Sequence, residues 1–197
     1  MSKLLKMVLP LPVSINALYI NQATYNPNSK KWVPTGKRIL SKEGEKVKKD
    51  IITQAKLQMA KDEYQWDYEF TKDNFIYMDT VIYFNRKGRD DNNIYKLLND
   101  SLEKIVYDND SRVLVRTQRI LYDKNNPRVE ITFHPVDYIG VFDTLEDYKI
   151  FHAKCQGCKR FKRNCSILKN ATEAVVQEEI VKLADVFVCS KYNPIKE

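Results

Sequence analysis

The stretch Arg89-Asp90-Asp91-Asn92-Asn93-Ile94-Tyr95-Lys96 stands where an extended run gives way to an amphipathic one. Upstream, Phe75 to Phe84 reads Phe-Ile-Tyr-Met-Asp-Thr-Val-Ile-Tyr-Phe, aromatic and β-branched, so it is a strand. Downstream, Ile94, Leu97, Leu98, Leu102 and Ile105 make one apolar stripe, which predicts a helix over 93–105 with Lys96, Asp100 and Glu103 on its other side. Two further strands follow at 112–121 and 128–133. Val129, Ile131 and Phe133 alternate inward, and Asp123 to Pro127 forms the turn between the two strands. Earlier in the chain, Ser41 caps a helix whose Glu43 and Glu45 suit its positive end. Val47, Ile51, Ile52, Ala55 and Met59 then keep helical spacing to Lys61. A polar tract with Asn21, Asn26, Pro27, Asn28, Ser29, Pro34 and Gly36 reads as loop, and Lys6 to Pro12 as a short strand ended by prolines. This order predicts an α/β (α+β) domain over residues 1–137, a mixed sheet of about four strands with two packed helices.

After Asp137 the character changes. Residues 138–197 predict a small, mainly helical metal-binding segment: a short helix from Asp143 to Ala153, then a longer one from Ser166 to Ala184. Between them lies Cys155-Gln-Gly-Cys158-Lys-Arg-Phe-Lys-Arg-Asn-Cys165, and from Lys149 to Lys169 there are seven basic residues and no acidic ones.

An apolar content of 43% across 197 residues supports a real core and argues against wholesale disorder. With 33 basic against 26 acidic side chains, the net charge of +7 fits a polyanionic partner such as nucleic acid or anionic lipid. No apolar run approaches the roughly 20 residues that span a bilayer, so no membrane role is expected. The first twelve residues lack a small-residue cleavage site and read as a strand rather than a secretory signal. The four cysteines are then expected as reduced thiols or metal ligands, and the sequon at Asn170 carries no meaning.

Asp and Asn are favoured helix caps, and carboxylates in a first turn suit the dipole. Asp90-Asp91-Asn92-Asn93 nevertheless carries more acid than capping needs. Lys96 follows within two turns, Arg86, Lys87 and Arg89 precede it, and Asp108-Asn109-Asp110 comes about one helix later. Dense carboxylates repel unless a cation sits among them, and hard oxygen ligands suit Mg²⁺ or Mn²⁺. Such a metal activates water and neutralises developing charge while a lysine supports the phosphate, which is the chemistry of phosphodiester hydrolysis.

Over residues 6–134 the chain resembles the RusA-type family of Holliday-junction resolvases. Leu9-Pro10-Leu11-Pro12-Val13-Ser14-Ile15-Asn16-Ala17-Leu18-Tyr19 is similar to the family's opening strand and Pro-x-Ser-x-Asn-x-x-Tyr segment. Asp90 to Lys96 falls where the family carries Asp-x-Asp-Asn-x-x-Lys, followed by a helical acid that corresponds to Asp100. Val106-Tyr107-Asp108-Asn109-Asp110-Ser111-Arg112-Val113 is similar to its aromatic-x-Asp-Asp-x-x-Val/Ile stretch. The resemblance implies a homodimeric, Mg²⁺-dependent endodeoxyribonuclease of phage or prophage origin, hence cytoplasmic, that cuts branched DNA. It would make Asp90 and Asp110 metal ligands and Lys96 the residue that supports the scissile phosphate or positions the water. Two positions depart: Asn92 and Asn109 stand where the family has aspartates. An asparagine oxygen can ligate Mg²⁺ but brings no charge and cannot act as a base. Asp91 and Asp108, each one residue away, are the candidate replacements.

In the tail, Cys155, Cys158, Cys165 and Cys189 have the spacing of a four-thiolate zinc site, with His152 competing as fourth ligand and an iron–sulfur cluster as the other metal reading. Lys159, Arg160, Lys162 and Arg163 would either meet DNA phosphates or balance the net −2 of four thiolates on Zn²⁺. Neither His134 nor His152 has a nucleophile in pattern. Tyr25, Trp32, Tyr64, Trp66 and Tyr68 are read as packing residues before base-stacking ones. Two functions result. One is an endonuclease that resolves junctions by paired nicks in recombination and repair. The other is a weakened or inactive DNA-binding module whose zinc tail meets nucleic acid or a partner.

Overall fold

The computed structural model describes residues 4–61 and 66–195, so Tyr64 lies outside the described residues. It forms two compact units, residues 1–135 and 136–197. The first runs β1 (Leu5–Pro10), α1 (Ile15–Leu18), β2 (Tyr19–Asn26), β3 (Lys31–Leu40), α2 (Lys42–Met59), β4 (Ile76–Phe84), α3 (Asn92–Leu102), β5 (Val113–Tyr122) and β6 (Arg128–Pro135). A four-stranded sheet has the order β1-β6-β4-β5, with β4 and β5 parallel and the other pairs antiparallel. The expected mixed sheet with two packed helices is what forms. Strands β5 and β6 do not pair; they flank β4. The Asp123–Pro127 turn carries the chain across the end of β4, where Asp123 N donates to the Phe84 carbonyl at 2.8 Å.

Strand β4 buries every second residue, and Ile76, Met78, Ile82 and Phe84 face the helices. Ile51 and Ala55 of α2 and Ile94, Leu98 and Leu102 of α3 complete this core with Leu5, Met7, Leu9, Val129, Ile131 and Phe133. Each of these Ile, Leu, Met, Val and Phe side chains contributes about 1.5–3 kcal/mol by leaving water. Ser41 caps α2 by accepting from Gly44 N at 3.0 Å, as its position predicts. On the opposite sheet face, Asp79 accepts from Arg116 (2.6 Å) and Gln118 (2.9 Å) on β5 and lies 3.0 Å from His134 on β6. Burial alone would raise the Asp79 carboxyl, but these hydrogen bonds bring it down to about 2.

The polar tract expected to be loop is instead the β2–β3 antiparallel hairpin. Its residues are exposed along almost their whole length, so neither face had an apolar alternation to read. Asn26 closes the turn by accepting from Asn28 N (2.9 Å) and Ser29 N (3.3 Å).

The second unit holds α4 (Leu145–Gln156), capped by Thr144, then α5 (Ile167–Thr172) and the antiparallel pair β7 (Ile180–Leu183) and β8 (Val186–Cys189). The long helix expected over 166–184 is therefore only one and a half turns. Ala174 leaves it at φ +62°, and Ala184 and Asp185, both at positive φ, turn a hairpin. Phe142, Phe151, Ala171 and Phe187 form its small core. No described helix is long and apolar enough to cross a membrane.

Candidate active site

Helix α3 begins where the β4 strand has released the chain through an exposed turn. Arg86 and Lys87 are exposed there, Gly88 takes φ +73°, and Arg89 lies 5.6 Å over the Phe84 ring while donating to Asn85. The exposed Asp90 accepts from Asn92 N at 3.1 Å and so closes the turn before the helix, whose N-cap, Asp91, makes no side-chain capping bond of its own. Asn92 is exposed in the first turn of the helix.

Asp91 is held from the sheet. Thr117 of β5 donates to its carboxylate, Tyr95 of α3 bonds the same Thr117 hydroxyl, and the buried Thr80 of β4 lies 2.9 Å from the Tyr95 hydroxyl. This run of three hydroxyls, absent from the sequence reading, ties the acidic turn to two strands. A β-bulge follows immediately, where the pairing steps from Thr80–Thr117 to Val81–Arg119. Such bulges re-aim side chains beside functional sites. Tyr95 sits inside the acidic motif, but its partners depend on the β4–β5 register, so no sequence signal identifies them.

One turn further, Lys96 donates to Asp100 at 2.7 Å and stays half exposed. Its ammonium is held above the ordinary lysine range by that hydrogen bond first, and also by the nearby charges of Asp100, Tyr19 and Asp110. Asp110 comes from the 3₁₀ turn Asp110–Arg112 that feeds β5, and its charge is among those acting on Lys96. Asn109 caps that turn by accepting from Ser111 N at 2.9 Å. Asp108 is committed elsewhere: it pairs with Lys104 at 2.7 Å, accepts from Tyr68, and its carboxyl is lowered chiefly by the Lys104 hydrogen bond. The hydrogen bond of Asp90 stays within its own turn, whereas the charge of Asp110 acts on Lys96 and Tyr107. Among the described residues, no three His, Cys, Asp or Glu side chains are placed together as a ready metal site.

Of the aromatics, Trp66 donates to the Val106 carbonyl at 2.7 Å and packs on Phe133, a core role as expected. Trp32 is different, at 71% exposed.

In the second unit Cys155, Cys158, Cys165 and Cys189 all line one cavity of about 340 Å³, with His152, Lys162, Lys169 and Lys191 among its other walls. All four are free thiols. Burial, followed by the nearness of Cys189, Cys165 and Cys158, pushes the Cys155 thiol up to about 11. Cys158 goes the other way: burial would raise it, but backbone N–H groups of Asn193, Arg160 and Phe161 directed at its sulfur, and the Arg160 charge, lower it. His152 is engaged as a ring, stacked on Tyr148 at 5.7 Å and edge-on to Phe161. Lys159, Lys162 and Arg163 are exposed and Arg160 half-buried.

An α+β domain with an acidic helix start, a lysine beside a second acid and a basic turn has the make-up of a phosphodiester hydrolase acting on a polyanion. A family model described as Endodeoxyribonuclease RusA matches residues 19–134, more than half of the chain. The chain belongs to the RusA endodeoxyribonuclease family. The match takes in both acidic motifs and all strands from β2 to β6; the opening Leu9–Leu18 segment and the cysteine unit lie outside it. No curated protein matches the chain.

Proposed function

We propose that this endonuclease resolves four-way DNA junctions as a homodimer, by paired nicks in opposing strands, in recombination and repair. The observation that supports it best is Asp110 sharing one electrostatic neighbourhood with Lys96 and Asp100, within the matched span. Asp90, Asp110 and the Asn92 amide oxygen are a hard-oxygen donor set that suits Mg²⁺ or Mn²⁺. A bound ion supplies charge neutralisation and an acidified water. Lys96 places a fixed positive charge for the scissile phosphate, and Asp100 holds the Lys96 side chain in position. Asp91, gripped by Thr117, fixes the start of α3. Arg86, Lys87 and Arg89 meet flanking phosphates. A two-fold dimer matches a two-fold substrate, and a DNA substrate fits a cytoplasmic, phage-encoded enzyme. Purified protein with a synthetic mobile four-way junction and Mg²⁺ should give symmetric nicks, and its binding should weaken steeply with salt. Tight binding without nicks in either Mg²⁺ or Mn²⁺ would instead favour the non-catalytic DNA-binding reading, which the loss of charge at Asn92 and Asn109 motivates.

For the tail we propose a structural zinc ion held by Cys155, Cys158, Cys165 and Cys189. Donor chemistry supports this reading: four thiols line one cavity, amide N–H groups are aimed at the Cys158 sulfur, and three lysines offset thiolate charge. Among the described residues no three of the thiols are drawn together as a ready site, so the ion itself would gather them. A unit with so small an apolar core gains stability from such an ion. Elemental analysis of the full chain should return about one zinc per chain, lost in Cys158→Ser and kept in His152→Ala. Iron with sulfide, or four titratable thiols without metal, refutes the assignment.

A further inference from the structure

The β2–β3 ribbon is the largest feature of the first unit that the acidic site does not use. It forms its own two-stranded sheet, apart from the central one. At its base Tyr19 and Leu40 pack with Val13, Leu18 and Leu97, the last on α3. Leu97 is the neighbour of Lys96 on α3, so the ribbon is rooted against the helix that carries the candidate catalytic lysine. Eight residues of β2 reach about 25 Å.

Nothing in this unit's core needs what the ribbon displays. Near the tip, Tyr25 and Trp32 face each other across the strands with ring centroids 5.8 Å apart, 51% and 71% exposed. Lys30, Lys31, Lys37 and Arg38 lie along it, and residues 19–40 contain no Asp or Glu. A tryptophan left this exposed loses the contribution that burial would give it, and four cations without a carboxylate repel one another. Both costs are offset by an anionic partner with flat apolar faces, which is nucleic acid: phosphates for the cations, a base for the rings.

We propose that this ribbon is a DNA-holding arm, whose cations grip the backbone of one junction arm while Trp32 stacks on a base exposed near the branch point. It rests on the junction reading above, and adds a contact surface outside the acidic site.

The test uses the full chain in metal-free buffer, where binding is read without cleavage. Adding a four-way junction should quench the fluorescence of Trp32, and the quench should vanish in Trp32→Ala. Stacking of one base predicts that Trp32→Ala weakens junction binding by about tenfold, and that Trp32→Phe restores most of it. The pair Lys30→Ala and Lys31→Ala should lower the slope of log affinity against log salt by about two. Both positions are exposed, so an unchanged circular dichroism spectrum accompanies each variant. Equal binding by Trp32→Ala and the parent overturns the arm while leaving the junction reading intact. A parent that binds no junction DNA removes both. A quench that appears on self-association or with anionic vesicles, and not with DNA, also overturns it.

Discussion

Asp110→Asn should reduce junction cleavage by about 10–100-fold or more, because losing a charged ligand weakens the hold on the metal that activates water and neutralises the phosphate. Junction binding in metal-free buffer should survive, because one negative charge fewer faces the phosphates. The physical basis is the proposed role of Asp110 as a metal ligand, together with its charge acting on Lys96, whose ammonium also carries the Asp100 hydrogen bond. Replacing the carboxylate by an isosteric amide keeps the turn but removes the charge of the acid that precedes β5. Single-turnover cleavage of a labelled junction measures the effect. Parent-like rates in Asp110→Asn would remove Asp110 from the chemistry, and with it the hydrolase mechanism proposed for this site.

The second large effect is on stability. Gly140→Ala should destabilise the second unit by about 3 kcal/mol or more, combining backbone strain with an unavoidable clash. Gly140 takes φ +57°, and a Cβ there would lie 1.9 Å from the Ala171 carbonyl oxygen and 2.7 Å from Thr172 Cα. Those atoms cannot step aside, because the Ala171 carbonyl already accepts from Val141 N at 2.9 Å and from Ala174 N at 3.2 Å. Gly36 is the matched control: φ is +76°, but nothing lies within 4 Å of its missing Cβ. Gly36→Ala should therefore cost only about 1 kcal/mol. Urea unfolding of both variants, followed by limited proteolysis between 136 and 195, separates the two; equal losses would refute the packing argument.

Where the sequence carried a period, the period was right. The stripe of α3, the alternation of β4 and β6 and the Ser41 cap each rest on neighbours three, four or two positions away, so a local reading suffices. It failed where burial was absent or where turn residues were unusual. The β2–β3 ribbon shows no alternation because both faces meet solvent. The β7–β8 hairpin turns on Ala184-Asp185, whereas tight hairpins usually advertise themselves with Asn-Gly. Ser166 looked like a cap for a long helix, yet its side chain makes no capping hydrogen bond.

The candidate site divides in the same way. Asp90, Asp91, Asn92 and Lys96 occupy consecutive turns, so the sequence by itself determined that acid, amide and lysine start one helix. Only the tertiary structure decided which of them are committed. It paired Asp108 with Lys104, gave Asp91 to the Thr117 hydroxyl that Tyr95 also meets, and put Asp110 among the charges acting on Lys96. The Asp108–Lys104 pair is local, four residues apart. The Asp91–Thr117 bond instead depends on β5 running parallel beside β4 with a bulge after Thr117, and strand pairing across 37 residues is a long-range choice that no local propensity encodes.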